Sequence, residues 1–470
     1  MANQPRKCRR KLWSAAALVS LLCAANQMAG ATPSAPELQN GDRVGFIGDS
    51  ITDIGHYHSY LQLFYATRFP DREIQYFPAG HSGGTADDCL RRLNWDILAR
   101  SPNIATVNFG MNDMGGTFGA SNASPEEMGK AIQERMKHVQ NRYETLLDAL
   151  SSNGVRLILI GPSIYDGTVQ IGDSVPPGTN RLWALGVWTQ GIKDIAASRK
   201  AGFVDLWTKM KEVNARLQAA DPKATIVGQD RVHPGEAGNM VMLYSILKAQ
   251  GIGPDVAEIS VDAAKGETGN VVNCTVAEIE RQENGIAFVC RENALPFPIP
   301  YRAAKALEWV PFTEELNRET LVVKNLPAGD YDLRIDGAVV GQYNASELAS
   351  GLNLSLNSKT PQFQQSQKIL QYNDTRSSLE RKLRYLPYLR HCREAQQNID
   401  WDNSVAVDEF LRGEIRRLKS NDYFRHIAIA YLDNVSGKTD AIIKQVDELN
   451  SKIRTERMPQ AHKFALTLVK

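Results

Sequence analysis

The sequence predicts a three-layer α/β fold for its first half, a parallel sheet between two layers of helices. An antiparallel β region and a helical region follow it. Three observations carry this reading. Short apolar runs alternate with amphipathic stretches from Gly41 to about Gly251, Asn284-Gly285 and Asp336-Gly337 mark hairpins, and Leu or Ile recurs at helical spacing beyond about Pro361. A chain of 470 residues exceeds one ordinary domain, and 43% apolar with 23% charged residues supplies an ample core.

Taken in order, residues 1–31 read as an export signal. A basic cluster, Arg6 to Lys11, precedes the apolar run Leu12–Ala25, and Met28-Ala29-Gly30-Ala31 suits a cut near Ala31. A retained membrane helix is the competing reading, but the run is short for a span and rich in small residues. The formal charge of +1 rests on that cluster, and without it the remainder is net acidic. Nucleic acid and anionic membrane are therefore not expected as the main partner.

Strands are expected at Val44–Ile47, Ile74–Phe77, Ile104–Asn108, Arg156–Ile160 and Phe203–Asp205. Helices are expected at Tyr60–Phe69, Ala86–Leu98, Trp183–Arg199 and Glu236–Ala249. Another opens on Ser124-Pro125-Glu126-Glu127, a capping box with Pro in the first turn. Residues 41–251 thus form one unit whose ligand belongs at the carboxyl ends of the strands.

Residues 252–345 read as a small antiparallel sandwich, with strands at Asn270–Arg281, Gly285–Cys290, Thr320–Lys324, Tyr331–Ile335 and Ala338–Tyr343. Residues 360–470 read as helices that dock on the rest. Beyond the leader the cysteines are Cys89, Cys274, Cys290 and Cys392, with no pairing implied. A two-residue turn at Asn284-Gly285 sets Cys290 opposite Ile279, not Cys274.

Two serines compete for a nucleophile's role. Ser82 lies in Gly80-His81-Ser82-Gly83-Gly84, a Gly-x-Ser-x-Gly pattern, and Ser50 ends the first strand in Gly48-Asp49-Ser50. The candidate base is His233 in Asp230-Arg231-Val232-His233-Pro234, where Asp230 can fold back to fix the imidazole tautomer. A Gly-rich oxyanion motif of the kind that accompanies the lipase-type elbow does not precede Ser82. Asn112, in Gly110-Met111-Asn112-Asp113 after the third strand, has an amide suited to a developing oxyanion.

These blocks, in this order, resemble the SGNH (GDSL-type) hydrolases over about residues 41–251. The resemblance implies a flavodoxin-like sheet, Ser50 as nucleophile, His233 as base and Asp230 as its orienting acid. It also implies an oxyanion hole made by the N–H groups of Ser50 and Gly83 and the amide of Asn112. Where the family's second block opens with Asn, this chain has Pro78.

The expectation is an exported serine esterase cleaving O-acyl, chiefly O-acetyl, esters on carbohydrate, without cofactor or metal. The alternatives are a lipase or other carboxylesterase, and a non-catalytic glycan- or protein-binding protein. Asp53, His56, His58 and His81 lack recognised metal-ligand spacing and are expected at the pocket rim or a helix cap. Tyr165, Trp183 and Trp188 flank the insertion Asp166–Arg181 and are either core or faces for stacking on sugar rings.

Overall fold

A computed structural model describes residues 34–115, 124–169, 180–393 and 399–469. The expected leader, 1–31, lies outside the described residues, as do 170–179 of the insertion after the fourth strand.

Strands β1 (Arg43–Gly48), β2 (Gln75–Gly80), β3 (Ile104–Asn108), β4 (Arg156–Ile160) and β5 (Gly202–Val204) form a parallel sheet in the order β2-β1-β3-β4-β5. This is the expected flavodoxin-like arrangement, and each strand lies within a few residues of its predicted place. Pro78 is tolerated inside β2 because β2 is an edge strand with no ladder on its far side.

Helices α1 (Ser50–Ile54), α2 (Tyr57–Arg68), α3 (Ala86–Arg92), α4 (Pro125–Ser152), α5 (Asn180–Arg199), α6 (Leu206–Ala220) and α7 (Glu236–Ala249) are interleaved with and follow those strands. The Ser124–Glu127 capping box opens α4 as the sequence predicts. The helix expected over Ala86–Leu98 instead changes to a π-helical turn at Leu93–Ile97. Within that turn the buried Asp96 carboxylate takes Arg92 at 2.6 Å.

Two sheets follow. One has the order β13-β10-β6-β7, from β6 (Asp255–Asp262), β7 (Glu267–Thr268), β10 (Arg318–Lys324) and β13 (Leu352–Asn353). The other has the order β12-β11-β14-β9-β8, from β8 (Cys274–Gln282), β9 (Gly285–Glu292), β11 (Asp330–Ile335), β12 (Ala338–Asn344) and β14 (Ala461–Leu468). They enclose a core that includes Ile259, Phe288, Leu321, Leu333 and Phe464. Pairing is antiparallel except for β6 with β10. Strand β14, from the end of the chain, fills the middle of the second sheet, so the predicted helical region closes on a strand that belongs to the sandwich.

The reading of Cys290 opposite Ile279 is corrected. Gln282 pairs with Gly285, so the turn is Glu283-Asn284 and moves the register by two residues, and a bulge between Ala277 and Glu280, with Glu278 at φ +50°, moves it by one more, so that Cys290 faces Val276 and Cys274 faces Glu292. Cys274 and Cys290 are thus diagonal neighbours, both free, as are Cys89 and Cys392, and the Cys274 thiol donates to Glu258 O at 3.2 Å.

Helices α8 (Pro361–Leu383), α9 (Tyr385–Cys392), α10 (Ser404–Arg417), α11 (Tyr423–Asn434) and α12 (Thr439–Glu456) complete the chain. Ile369, Leu370 and Ile453 join the core of the α/β unit, while Leu389, Leu411, Phe424 and Tyr431 make a core of their own. Among the described residues no helix is long and apolar enough to cross a membrane.

Candidate active site

The register of the sheet brings the predicted blocks together. Gly48 pairs with Gly80 on one side and with Asn108 on the other, so β1, β2 and β3 end level with one another. The loops that leave those three ends carry Ser50, Gly83 and Asn112.

Asp49 is the N-cap of α1, its carboxylate accepting the Ile51 N–H at 2.9 Å, and this sets Ser50 at the first helical position. Gly80 is required by crowding, because a Cβ there would stand 2.3 Å from the backbone N of Asp53 as α1 passes over the end of β2. Burial pushes the Asp49 carboxyl up to about 7, against the hydrogen bond from Ile51.

His233 reaches Ser50 from the loop before α7. Its Nε2 lies 2.7 Å from Ser50 Oγ, and its Nδ1 lies 2.6 Å from Asp230 Oδ2. The other Asp230 oxygen accepts the N–H groups of Val232 and His233, both at 3.0 Å. Burial raises the Asp230 carboxyl, but these bonds outweigh it and hold the group below the usual carboxylate range. A carboxylate kept ionised and fixed against Nδ1 leaves Nε2 to accept a proton from Ser50.

Two residues that shape this loop were not singled out in the sequence. Arg231 is buried at φ +69° and donates to the carbonyls of Asp166 (2.9 Å) and Val169 (2.6 Å), turning the backbone so that Asp230 and His233 project together. Asn239, buried in α7, donates to the carbonyls of Pro234 (2.9 Å) and Gly235 (3.0 Å). The only hint of its role is a lone amide in an otherwise largely apolar helix.

On the other side of Ser50, Gly83 adopts φ +77° with open space where a Cβ would point. Backbone conformation, not crowding, calls for glycine there. Asn112 Nδ2 donates one hydrogen to Gly84 O at 3.0 Å, which orients the amide and leaves its second hydrogen for another acceptor. Asp113 accepts the N–H groups of Ala86 (2.9 Å) and Gly110 (3.0 Å) and so ties the two loops together.

Ser82, the rival nucleophile, donates to Asp53 Oδ2 at 2.7 Å. His81 is not on an open rim: it stacks on Tyr388 with ring centres 4.8 Å apart and meets His391 edge-on at 4.6 Å. His58 is a core residue bonded to Thr52 O at 2.9 Å, and burial pushes its imidazole down to about 3. His56 stands at the N-cap of α2, near its expected place. Among the described residues no group of three or more His, Cys, Asp or Glu is arranged to hold a metal ion. Trp188 is buried with its indole N–H on Phe109 O, Trp183 is largely exposed, and the Arg181 guanidinium lies over the Tyr165 ring.

Residues 46–241 match the GDSL-like Lipase/Acylhydrolase family. Beyond that unit, a solved structure described as a gut microbial diltiazem-metabolizing enzyme is 31% identical, covers 93% of this chain and all of its own, and superposes with a TM-score of 0.85. The chain belongs to the GDSL-like lipase/acylhydrolase family. This GDSL-like protein is therefore a hydrolase of ester bonds. An acetylxylan esterase from Geobacillus stearothermophilus is 27% identical over 235 residues, which are 46% of this chain and 96% of that protein. Solved structures of an acetylxylan esterase from the same organism are 21% identical over 46% of this chain and 97% of their own, with a TM-score of 0.34. The GDSL-like unit thus ends near α7, whereas the likeness to the diltiazem-metabolizing enzyme runs on through the sandwich and the helices.

Proposed function

We propose that this protein is an exported esterase that removes O-acetyl groups from carbohydrate, with Ser50 as nucleophile, His233 as general base and Asp230 as its orienting carboxylate. The observation that carries it is the continuous relay from Ser50 Oγ through His233 to Asp230, with contacts of 2.7 and 2.6 Å. The acetylxylan esterase relative supports acetyl and carbohydrate as the two halves of the substrate. Export rests on the basic-then-apolar leader with its cut near Ala31.

In this reaction Ser50 Oγ attacks the ester carbonyl carbon as His233 Nε2 takes its proton. The carbonyl oxygen becomes an oxyanion held by the N–H groups of Ser50 and Gly83 and by the Asn112 amide. Collapse breaks the bond to the sugar oxygen, which leaves with the proton from His233. Water, deprotonated in turn by His233, attacks the acetyl-Ser50 ester and frees acetate.

Fluorophosphonate labelling followed by peptide mapping tests the core of this reading. An adduct on Ser50 is expected; a folded protein that stays unlabelled there overturns it. N-terminal sequencing of the mature protein from its host tests export, which fails if residues 1–31 are retained.

A further inference from the structure

A cleft of about 480 Å³ lies between the GDSL-like unit and the helical region. Two of its walls continue the segments that carry the triad. His56 follows α1, which begins at Ser50, and Glu236 opens α7 just after His233. Ser50 to Ile54 is one helical turn, a rise of about 6 Å. Ile54, at the end of that turn, is exposed.

The cleft has the chemistry of a surface that binds a neutral, polyhydroxylated ligand. Tyr301 is 93% exposed, a free aromatic face beside the cavity. It stands at the end of the segment Leu295–Pro300, which is anchored by buried Leu295 and Phe297, so little chain entropy is lost when a ring stacks on it. Around it, Glu236 pairs with Arg302 at 3.4 Å, and Asp374, Gln371 and Arg381 come from α8. The two carboxylates balance the two guanidinium groups. A polyanion meets Glu236 and Asp374 there, whereas sugar hydroxyls both donate to carboxylates and accept from guanidinium and amide groups, and Ile299, Pro300 and Leu370 offer apolar surface to the C–H faces of sugar rings.

We propose that this cleft is a subsite for the glycan that bears the ester, a neutral oligosaccharide with one ring stacked on Tyr301 and its hydroxyls paired with Glu236, Arg302 and Asp374. The proposal rests on the esterase reading of Ser50 and His233. Glu236 apart, it assigns substrate selection to residues that lie outside the matched GDSL-like unit.

The test compares acetylated xylo-oligosaccharides with para-nitrophenyl acetate on the full chain and on Tyr301→Ala and Asp374→Asn. Each variant is expected to lower the ratio of kcat/KM for the oligosaccharide to that for the aryl ester, by about tenfold for Tyr301→Ala and mainly through KM. An unchanged ratio, with both esters still cleaved, overturns the subsite while leaving the esterase reading intact. Calorimetric titration of Ser50→Ala with deacetylated xylo-oligosaccharide and with polygalacturonate supplies a readout independent of turnover. Binding of the neutral glycan that Tyr301→Ala abolishes supports the subsite even if no ester is cleaved, an outcome that overturns the esterase reading alone. Absence of binding, or preference for polygalacturonate, overturns the subsite.

Discussion

Asn239 joins the arm that carries Ser50 to the arm that carries His233: its Oδ1 accepts the N–H of Tyr57 at 3.0 Å, and also that of His56 at 3.0 Å. Its Nδ2 holds Pro234 and Gly235 at the same time. One buried amide therefore satisfies four backbone groups on two segments far apart in sequence. Asn239→Leu takes this partner from the His56 and Tyr57 N–H groups and the Pro234 carbonyl, while the Gly235 carbonyl keeps the backbone N–H of residue 239, and is expected to cost about 2–4 kcal/mol, read from urea unfolding. The rate of fluorophosphonate labelling at Ser50 is expected to fall as well. Asn239→Asp keeps the acceptor but loses the donors, so it restores only part of both.

The serine that matters is decided by partners. Ser50→Ala is expected to abolish acetate release, and Asp230→Asn to lower kcat by on the order of 10²–10⁴. Ser82→Ala removes a bond to Asp53 and is expected to retain labelling at Ser50. Peptide mapping that finds the adduct on Ser82 in the wild-type protein reverses this assignment.

Asn112→Ala removes the bond to Gly84 O and, in the proposed reaction, one oxyanion donor. A loss of on the order of 10²–10³ in kcat is expected, with KM changed far less, because the lost interaction forms in the transition state. Steady-state kinetics on an aryl acetate measure the split.

Asp49 sets a pH dependence of stability. Its folded carboxyl is raised to about 7 from an ordinary value of 3.8. Below the ordinary value both states are protonated and no penalty exists. As pH rises toward 7 the unfolded chain releases a proton that the folded one keeps, so stability falls by on the order of 3–4 kcal/mol and then levels off. Asn can also cap α1, so Asp49→Asn is expected to flatten this decline. Urea unfolding at a series of pH values between 4 and 8 checks it.

Arg384 couples the helical region to the loop that carries Gly83. Its guanidinium grips Asp96 with contacts of 2.5 and 2.8 Å and donates to Gly80 O at 3.3 Å, where β2 hands over to the Gly83 loop. Asp96 is buried, so Arg384→Ala breaks a desolvated ion pair and is expected to cost roughly 3 kcal/mol in stability. A drop in kcat is expected even where the variant is fully folded, because the loop loses an anchor. Kinetics well below the unfolding temperature separate the two effects.

The sequence by itself determined the parallel sheet and the identity of the residues at its strand ends. Those signals are local: an apolar run that stops at a glycine, an N-capping Asp49, a capping box at Ser124, and an Asp three residues before a His whose loop folds back on itself. What only the tertiary structure decided is how distant segments meet. The level ends of β1, β2 and β3, the reach of Asn239 to Tyr57 and of Arg384 to Asp96, and the return of β14 to the sandwich all depend on packing between segments remote in the chain. The turn at Glu283-Asn284 and the Glu278 bulge together likewise moved Cys290 from Ile279 to Val276, since each residue of slippage resets every pairing beyond it. A lone buried Asn or Arg looks the same in sequence whether it is solvated or holds two loops together, because its partners lie on segments remote in the chain.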